Sequence, residues 1–162
     1  MYSDVLLPTD GSLGMASAIR HAVHQADGHD ATLHALYVVD VRAYAILPEP
    51  TRTQVHDLLV EAGEEALEFV ESVGEDAGVE VVTAVREGVP ADAILDYIEE
   101  AGIDLVAMGT HGETGDGVRV VGSVAEAVVG NATVPVLTVR VNDADAATFD
   151  DDLPVHSSRY IH

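Results

Sequence analysis

The sequence predicts an open α/β fold: five parallel strands in the order 3-2-1-4-5 with helices on both faces. Three observations predict it. Short β-rich runs alternate with segments of helical period through residues 2–139, the pattern of repeated strand–helix units. The first of these runs holds Val5, Leu6 and Leu7 in succession, as in a strand buried on both faces. Right-handed crossovers then leave few ways to order the strands.

The elements follow in order. Strand 1 covers residues 2–9, YSDVLLPT, with Pro8 expected to end it. Asp10, Gly11 and Ser12 form the turn, and Ser12 is the expected N-cap of a first helix. Ala16, Ile19, Ala22, Val23 and Ala26 give that helix its apolar stripe, and Gly28 is expected to close it. Strand 2 covers 31–39, ATLHALYVV, with Asp40 at its carboxyl end. The fragment VRAYAILPEP has no clean period, and its prolines forbid a long element. Loops of this length at strand ends often line sites.

Over 51–76, Val55, Leu59, Ala62, Ala66, Phe69, Val70 and Val73 recur at three and four, with glutamates between them. This is one long amphipathic helix with an acidic outer face, and the glutamates read as a solvated surface rather than a metal site. Strand 3 is expected over 79–85, with Arg86, Glu87 and Gly88 as a turn. Pro90 then stands where a helix can start. Ile94, Leu95, Ile98 and Ala101 form that helix's buried stripe, and Gly102 ends it. Asp104 introduces strand 4, a glycine-rich segment follows, and a helix from Ser123 to about 130 leads to strand 5 over 134–139. Residues 1–141 make one domain, and 142–162 an acidic tail without usable period.

Composition narrows the function classes. Seven basic residues, all arginine, face 29 acidic ones, for a net charge of -22. Such a surface repels nucleic acid and anionic membrane. It suits a salt-rich, halophilic cytoplasm, because at 1 M salt the Debye length is only about 3 Å; an acidic interaction surface is the alternative. The absence of cysteine excludes disulfides and thiolate chemistry. No apolar run approaches membrane-spanning length, and no basic, signal-like segment opens the chain, so a cytoplasmic location is expected.

The chemistry concentrates in residues 105–128. An apolar run enters a segment holding Gly109, Gly112, Gly115, Gly117 and Gly122, and Ser123 opens a helical pattern. Glycine lets a backbone approach a ligand closely, and a helix N-terminus offers unpaired N–H groups to an anion. In the predicted strand order this segment and Asp10 flank one topological switch point, the place where ligands bind in such sheets. A Walker A site would need a lysine, and the chain has none. The Rossmann glycine fingerprint after strand 1 is also missing.

What does occur is Gly109-x-x-Gly112, nine residues, then Gly122-Ser123. With LLPTDGS near the start, YVVD after strand 2, VREGVPADAIL around the third helix and GSVAEAVVGNATVPVLTV at the close, the chain resembles a universal stress protein of the ATP-binding type. The resemblance covers about 2–140 and implies an adenine nucleotide alpha hydrolase-like fold. It further implies that Asp10 approaches the ribose and helps organise metal-bound phosphates, with Mg²⁺ or Mn²⁺ as the metal, and that Pro8 and Thr9 lead to it. Backbone groups of Val38, beside Val39, would hold the adenine edge. Gly109 would pass under the ribose, with Gly112, Gly122, Ser123 and the N–H of Val124 around the phosphates. His111 reads equally as a phosphate contact or a loop residue.

Function follows as an expectation: an ATP-binding stress-response sensor or regulator with at most slow hydrolysis and no catalytic residue assigned. The alternatives are a dimeric adaptor that binds no nucleotide and a hydrolase of adenylated compounds. Strand 5 should form a sheet edge, and Val134, Val136, Leu137, Val139 and Val141 make it apolar. Similar family members form homodimers by pairing this strand, 134–141, across a two-fold axis.

Overall fold

The computed structural model describes residues 1–110 and 122–140. The elements are β1 (Asp4–Thr9), α1 (Ala16–His29), β2 (Thr32–Asp40), α2 (Thr51–Asp76), β3 (Val81–Gly88), α3 (Pro90–Glu100), β4 (Leu105–Thr110), α4 (Ser123–Asn131) and β5 (Val136–Arg140), with short 3-10 turns at Leu13–Met15 and Val41–Ala43. All strand pairs are parallel, in the order β3-β2-β1-β4-β5. The expected sheet is therefore present. The tail 142–162 and the segment 111–121, with Gly115 and Gly117, lie outside the described residues.

Strand alternation explains the unbroken apolar runs. Val5 and Leu7 of β1, with Leu33, Ala35, Tyr37 and Val39 of β2, pack into one core beneath α1 and α2. Leu6 and Leu36 turn the other way, into a second core with Ile94, Tyr97, Ile98 and Val128. A strand covered on both sides has no polar face to alternate with.

Several local expectations are corrected. Pro8 lies inside β1, paired with Leu36. Its missing N–H is tolerated because the pairing between β1 and β4 runs only through Val5 and Leu6. Ser12 does not cap α1: its carbonyl accepts the Met15 N–H at 3.1 Å in a 3-10 turn, and Met15 is the N-cap. Gly28 is helical, and Asp30 ends α1 in the left-handed region at φ 55°, a conformation short polar side chains tolerate. Arg86, Glu87 and Gly88 are strand rather than turn, paired with Val38, Val39 and Asp40.

On α2 the buried residues are Gly63, Ala66, Leu67, Val70 and Gly74. Of the predicted stripe Ala66 and Val70 are buried and Leu59, Phe69 and Val73 pack half-buried against the core, while Ala62 is exposed. Glycine carries no hydrophobic weight, yet here it lets the helix sit close to the sheet.

The amino end of the sheet is fixed by polar groups. Asp104 accepts the backbone N–H groups of Ser3 and Asp4 at 2.8 and 3.1 Å. Buried His34 contacts the Asp4 carboxylate through Nε2 and the Tyr97 hydroxyl through Nδ1, both at 2.9 Å. With an ionised Asp4 accepting from Nε2–H, a neutral ring leaves Nδ1 to accept the Tyr97 proton. Each partner in this buried chain is satisfied, leaving the opposite, carboxyl end of the sheet open for a ligand.

Candidate functional site

At that carboxyl end β1 and β4 part company after Leu6 and Val106. The separation opens a crevice of about 290 Å³ at the switch point. Pro8, Thr9, Asp10, Val38, Gly109, Gly122 and Val124 line it. Residues distant in the sequence are thus brought together by the 2-1-4 strand neighbourhood.

Two expected residues are placed differently. Val39 is 1% exposed and belongs to the core under α1 and α2, because successive strand side chains take opposite faces. Ser123 does not cap α4. Gly122 is the N-cap, its carbonyl accepting the Glu126 N–H at 2.9 Å, while Ser123 is the exposed first helical residue and is not part of the crevice lining. His111 and Gly112 lie outside the described residues.

The turn after β1 is locally determined. Thr9 Oγ1 accepts the Gly11 N–H at 3.1 Å, and Asp10 Oδ1 accepts the Ser12 N–H at 2.9 Å. Gly11 adopts φ 79°, which favours glycine. This turn also ends the β1–β2 ladder. Its first rung, from Thr32 N–H to the Ser3 carbonyl, sets even residues of β2 to face β1. The next donor for the Val38 carbonyl would be Gly11, whose N–H is committed to Thr9. That carbonyl remains as an acceptor on the crevice wall.

The α4 side of the crevice has a different chemistry. The first internal bond of α4 runs from Glu126 to Gly122, so the N–H groups of 123–125 have no partner within the helix. They supply donors and a partial positive charge without any side chain. No lysine, arginine or histidine is among the described lining residues. The other helix start at the crevice, that of α3, opens with Pro90, which has no N–H to offer, and carries Asp92 in its first turn; α4 carries Glu126 in its own first turn but keeps all three leading N–H groups. An anion therefore belongs at α4.

Sequence reasoning missed the apolar floor: Met15, Leu36, Ile94, Met108 and Ala125. Leu36 and Asp40 share the strand face of Val38, so a count of two either way from Val38 would have found them. Asp40 is held by Arg42, whose Nε and terminal amino nitrogen donate at 2.9 and 2.8 Å. The Arg42 hydrogen bonds hold the Asp40 carboxyl below its ordinary range. The Asp10 charge helps raise the Tyr37 hydroxyl, after burial as the larger cause.

The residues fit a metal only in one manner. Among the described residues no group of three or more His, Asp or Glu is arranged to hold an ion. Of the two crevice carboxylates Asp40 is paired with Arg42, and Asp10 would suit a hydrated Mg²⁺ or Mn²⁺, since Mg²⁺ keeps waters and takes few protein ligands.

Beside the crevice, the 41–50 loop is tied down through His56. Tyr44 meets the His56 ring edge-on, with centroids 5.5 Å apart. His56 contacts Glu87 through Nε2 and Asp57 through Nδ1. The Glu87 contact first, then Asp57, raises the imidazole pKa. A raised folded-state pKa makes this contribution to stability fully present below the unfolded value and lost as pH rises through the folded one. An NMR titration should place His56 above an ordinary imidazole, and Glu87→Gln should return it toward that value. An unchanged midpoint in the variant would count against the contact.

Fold and crevice define a class: α/β domains with an open crevice at the switch point of a parallel sheet, lined by backbone donors and an apolar floor. Within that class the chain belongs to the universal stress protein family, whose model, described as the Universal stress protein family, matches residues 1–140. A universal stress protein of Methanocaldococcus jannaschii, MJ0531, is 43% identical over 141 residues, covering 86% of this chain and 83% of that protein. The structure of universal stress protein UspA from Lactobacillus plantarum matches with a TM-score of 0.76 at 32% identity, over 86% of this chain and 98% of that one. A universal stress protein from Archaeoglobus fulgidus, solved in complex with dAMP, shares the fold at a TM-score of 0.64 and 21% identity, over 85% and 97% of the two chains. That protein thus binds an adenine nucleotide. No helix among the described residues is long and apolar enough to cross a membrane.

Proposed function

We propose that this chain binds ATP in the β1/β4 crevice and acts as a nucleotide-dependent stress-response sensor or regulator, with at most slow hydrolysis. One observation carries the reading. The crevice joins an apolar floor and the Val38 carbonyl at one end to the unpaired N–H groups at the start of α4 at the other. Two strand spacings, about 10 Å, separate β2 from β4, the scale of a nucleoside with its first phosphates. The base lies on the β2 side, where the Val38 carbonyl accepts from its exocyclic amine. Gly109 and Gly122 give the ribose and phosphates close access to the backbone.

Charge dictates the role of the metal. A triphosphate approaching a chain of net charge -22 finds no cationic side chain among the described lining residues. Mg²⁺ or Mn²⁺ bridging the phosphates to Asp10 offsets both charges, and high salt screens the remainder. Titration calorimetry should give an ATP affinity that rises at least about tenfold on adding Mg²⁺, about 1.4 kcal/mol, and falls when metal and salt are both withdrawn. Equal affinity in metal-free dilute buffer would overturn this account. The salt dependence is the one expected of a protein from a halophilic cytoplasm.

The chain works as a homodimer in this proposal, through the 134–141 strand. β5 is an end strand of the sheet, and the apolar Val136 and Leu137 are half-buried there. An isologous pairing closes the assembly. Light scattering at micromolar protein and physiological salt should return twice the chain mass, and a monomer would refute the pairing.

A further inference from the structure

The opposite edge of the sheet carries a second feature. β3 pairs only with β2 among the described residues. The Leu33 N–H donates to the Glu80 carbonyl at 2.9 Å, so even residues of β3 direct their backbone groups at β2. Odd residues, Val81, Thr83, Val85 and Glu87, direct theirs outward. The Val85 carbonyl accepts Arg86 at 3.2 Å, which agrees with that outward direction. An edge of this kind is a template for another strand unless something guards it.

The guard is weak over the middle of β3. Thr83 is exposed and Val82 is 39% exposed. Beside this stretch a groove of about 330 Å³ runs between the strand and α2, its base formed by Leu67, Ala84 and Val85. Its outer wall is Glu64, Glu68 and Glu71. On a helix these carboxylates rise by about 6 and 4.5 Å. Side chains at alternate positions of an extended strand are about 6.6 Å apart. The wall as a whole spans about 10.5 Å along the helix, so two cations at alternate positions of a neighbouring strand, about 6.6 Å apart, would both fall within its length.

We propose that this edge receives an extended segment of a partner protein, added to β3 as a sixth strand, with lysine or arginine at alternate positions. The backbone of Val81 and Thr83, with the N–H of Val85, supplies the pairing, the Val85 carbonyl being already bonded to Arg86, and the α2 carboxylates select the charge. The remaining acidic tail of this chain, with five aspartates and one arginine in 142–162, has the wrong sign to be the occupant. A second copy is disfavoured for the same reason, since its groove would bring another row of glutamates.

The test uses the full-length chain and a synthetic octapeptide alternating valine and lysine. Hydrogen exchange and amide shifts should report new protection at Thr83 and Val85, leaving the crevice residues unchanged. Thr83→Pro removes an outward N–H while sparing the β2 ladder, and should abolish that protection in a chain that remains folded by circular dichroism. Replacing Glu64, Glu68 and Glu71 together by glutamine should weaken the peptide about tenfold, as expected for three exposed ion pairs, without altering the fold. The proposal is overturned if Thr83→Pro binds the peptide unchanged, or if a glycine–lysine peptide that cannot hold a strand binds equally well. Self-association through β3, or perturbations confined to the crevice, would also overturn it. Retained nucleotide binding in the Thr83→Pro chain keeps this result separate from that of the crevice.

Discussion

Gly122→Val should lower nucleotide affinity at least about 100-fold, equivalent to about 2.7 kcal/mol, and leave the protein folded. The separation of the two effects comes from local geometry. Gly122 is the N-cap of α4 at φ -59° and ψ 148°, a conformation that any L-residue adopts. Valine therefore brings no backbone strain. It brings two methyl groups into the crevice wall where the α4 N–H groups would meet phosphate. A buried oxyanion displaced by even a small distance loses several charge-assisted bonds together. Calorimetry with ATP and Mg²⁺ measures the loss, and thermal unfolding without nucleotide checks the fold. Undiminished binding in a folded variant would place the phosphates elsewhere and remove the basis of the proposed function. Loss of binding with loss of fold would instead contradict the conformational argument.

The strand order was legible because strands 1, 2 and 4 announced their burial by consecutive apolar residues, and the crossover helices by a spacing of three and four. Asp10, Gly109 and Gly122 were legible as crevice residues for the same reason: the topology fixes which strand ends are neighbours. What escaped was set by contacts between elements. The apolar floor needs Ile94 of α3 and Met15 of the first turn to converge on Leu36, and no local pattern records that convergence. Val39 was misplaced beside Val38 although strand parity separates them. Ser12 and Ser123 have good capping chemistry, but the side chain of Asp10 and the carbonyl of Gly122 took the positions that matter. Capping preference is a local propensity: at Ser12 the Asp10 turn outweighed it, and Ser123 falls one residue inside its helix, behind the Gly122 N-cap.

Gly63→Val should destabilise the domain by about 3 kcal/mol, at the upper end of the usual cost of overpacking, and lower its unfolding midpoint by roughly 6–12 °C for a domain of this size. A Cβ built on Gly63 would stand 2.4 Å from Tyr37 Cδ1, 2.7 Å from Cε1 and 2.8 Å from Cγ. The obstacle is the flank of a ring that is itself only 8% exposed, so the ring has little room to yield. Either α2 lifts from β2, opening space over Tyr37, or the ring turns toward Asp10 and the crevice. The second route would also weaken ligand binding, whereas the first would cost stability alone. Gly28→Ala provides the opposite sign from the same chemistry. Gly28 is helical, and a Cβ there meets nothing within 4 Å, so reduced freedom in the unfolded chain should stabilise the domain by about 0.4–1 kcal/mol. Paired thermal melts in high salt, one falling and one rising, would tie the position of α2 to its missing side chain. Equal midpoints for Gly63→Val and the parent would mean that α2 does not approach the sheet as closely as the Tyr37 contact requires.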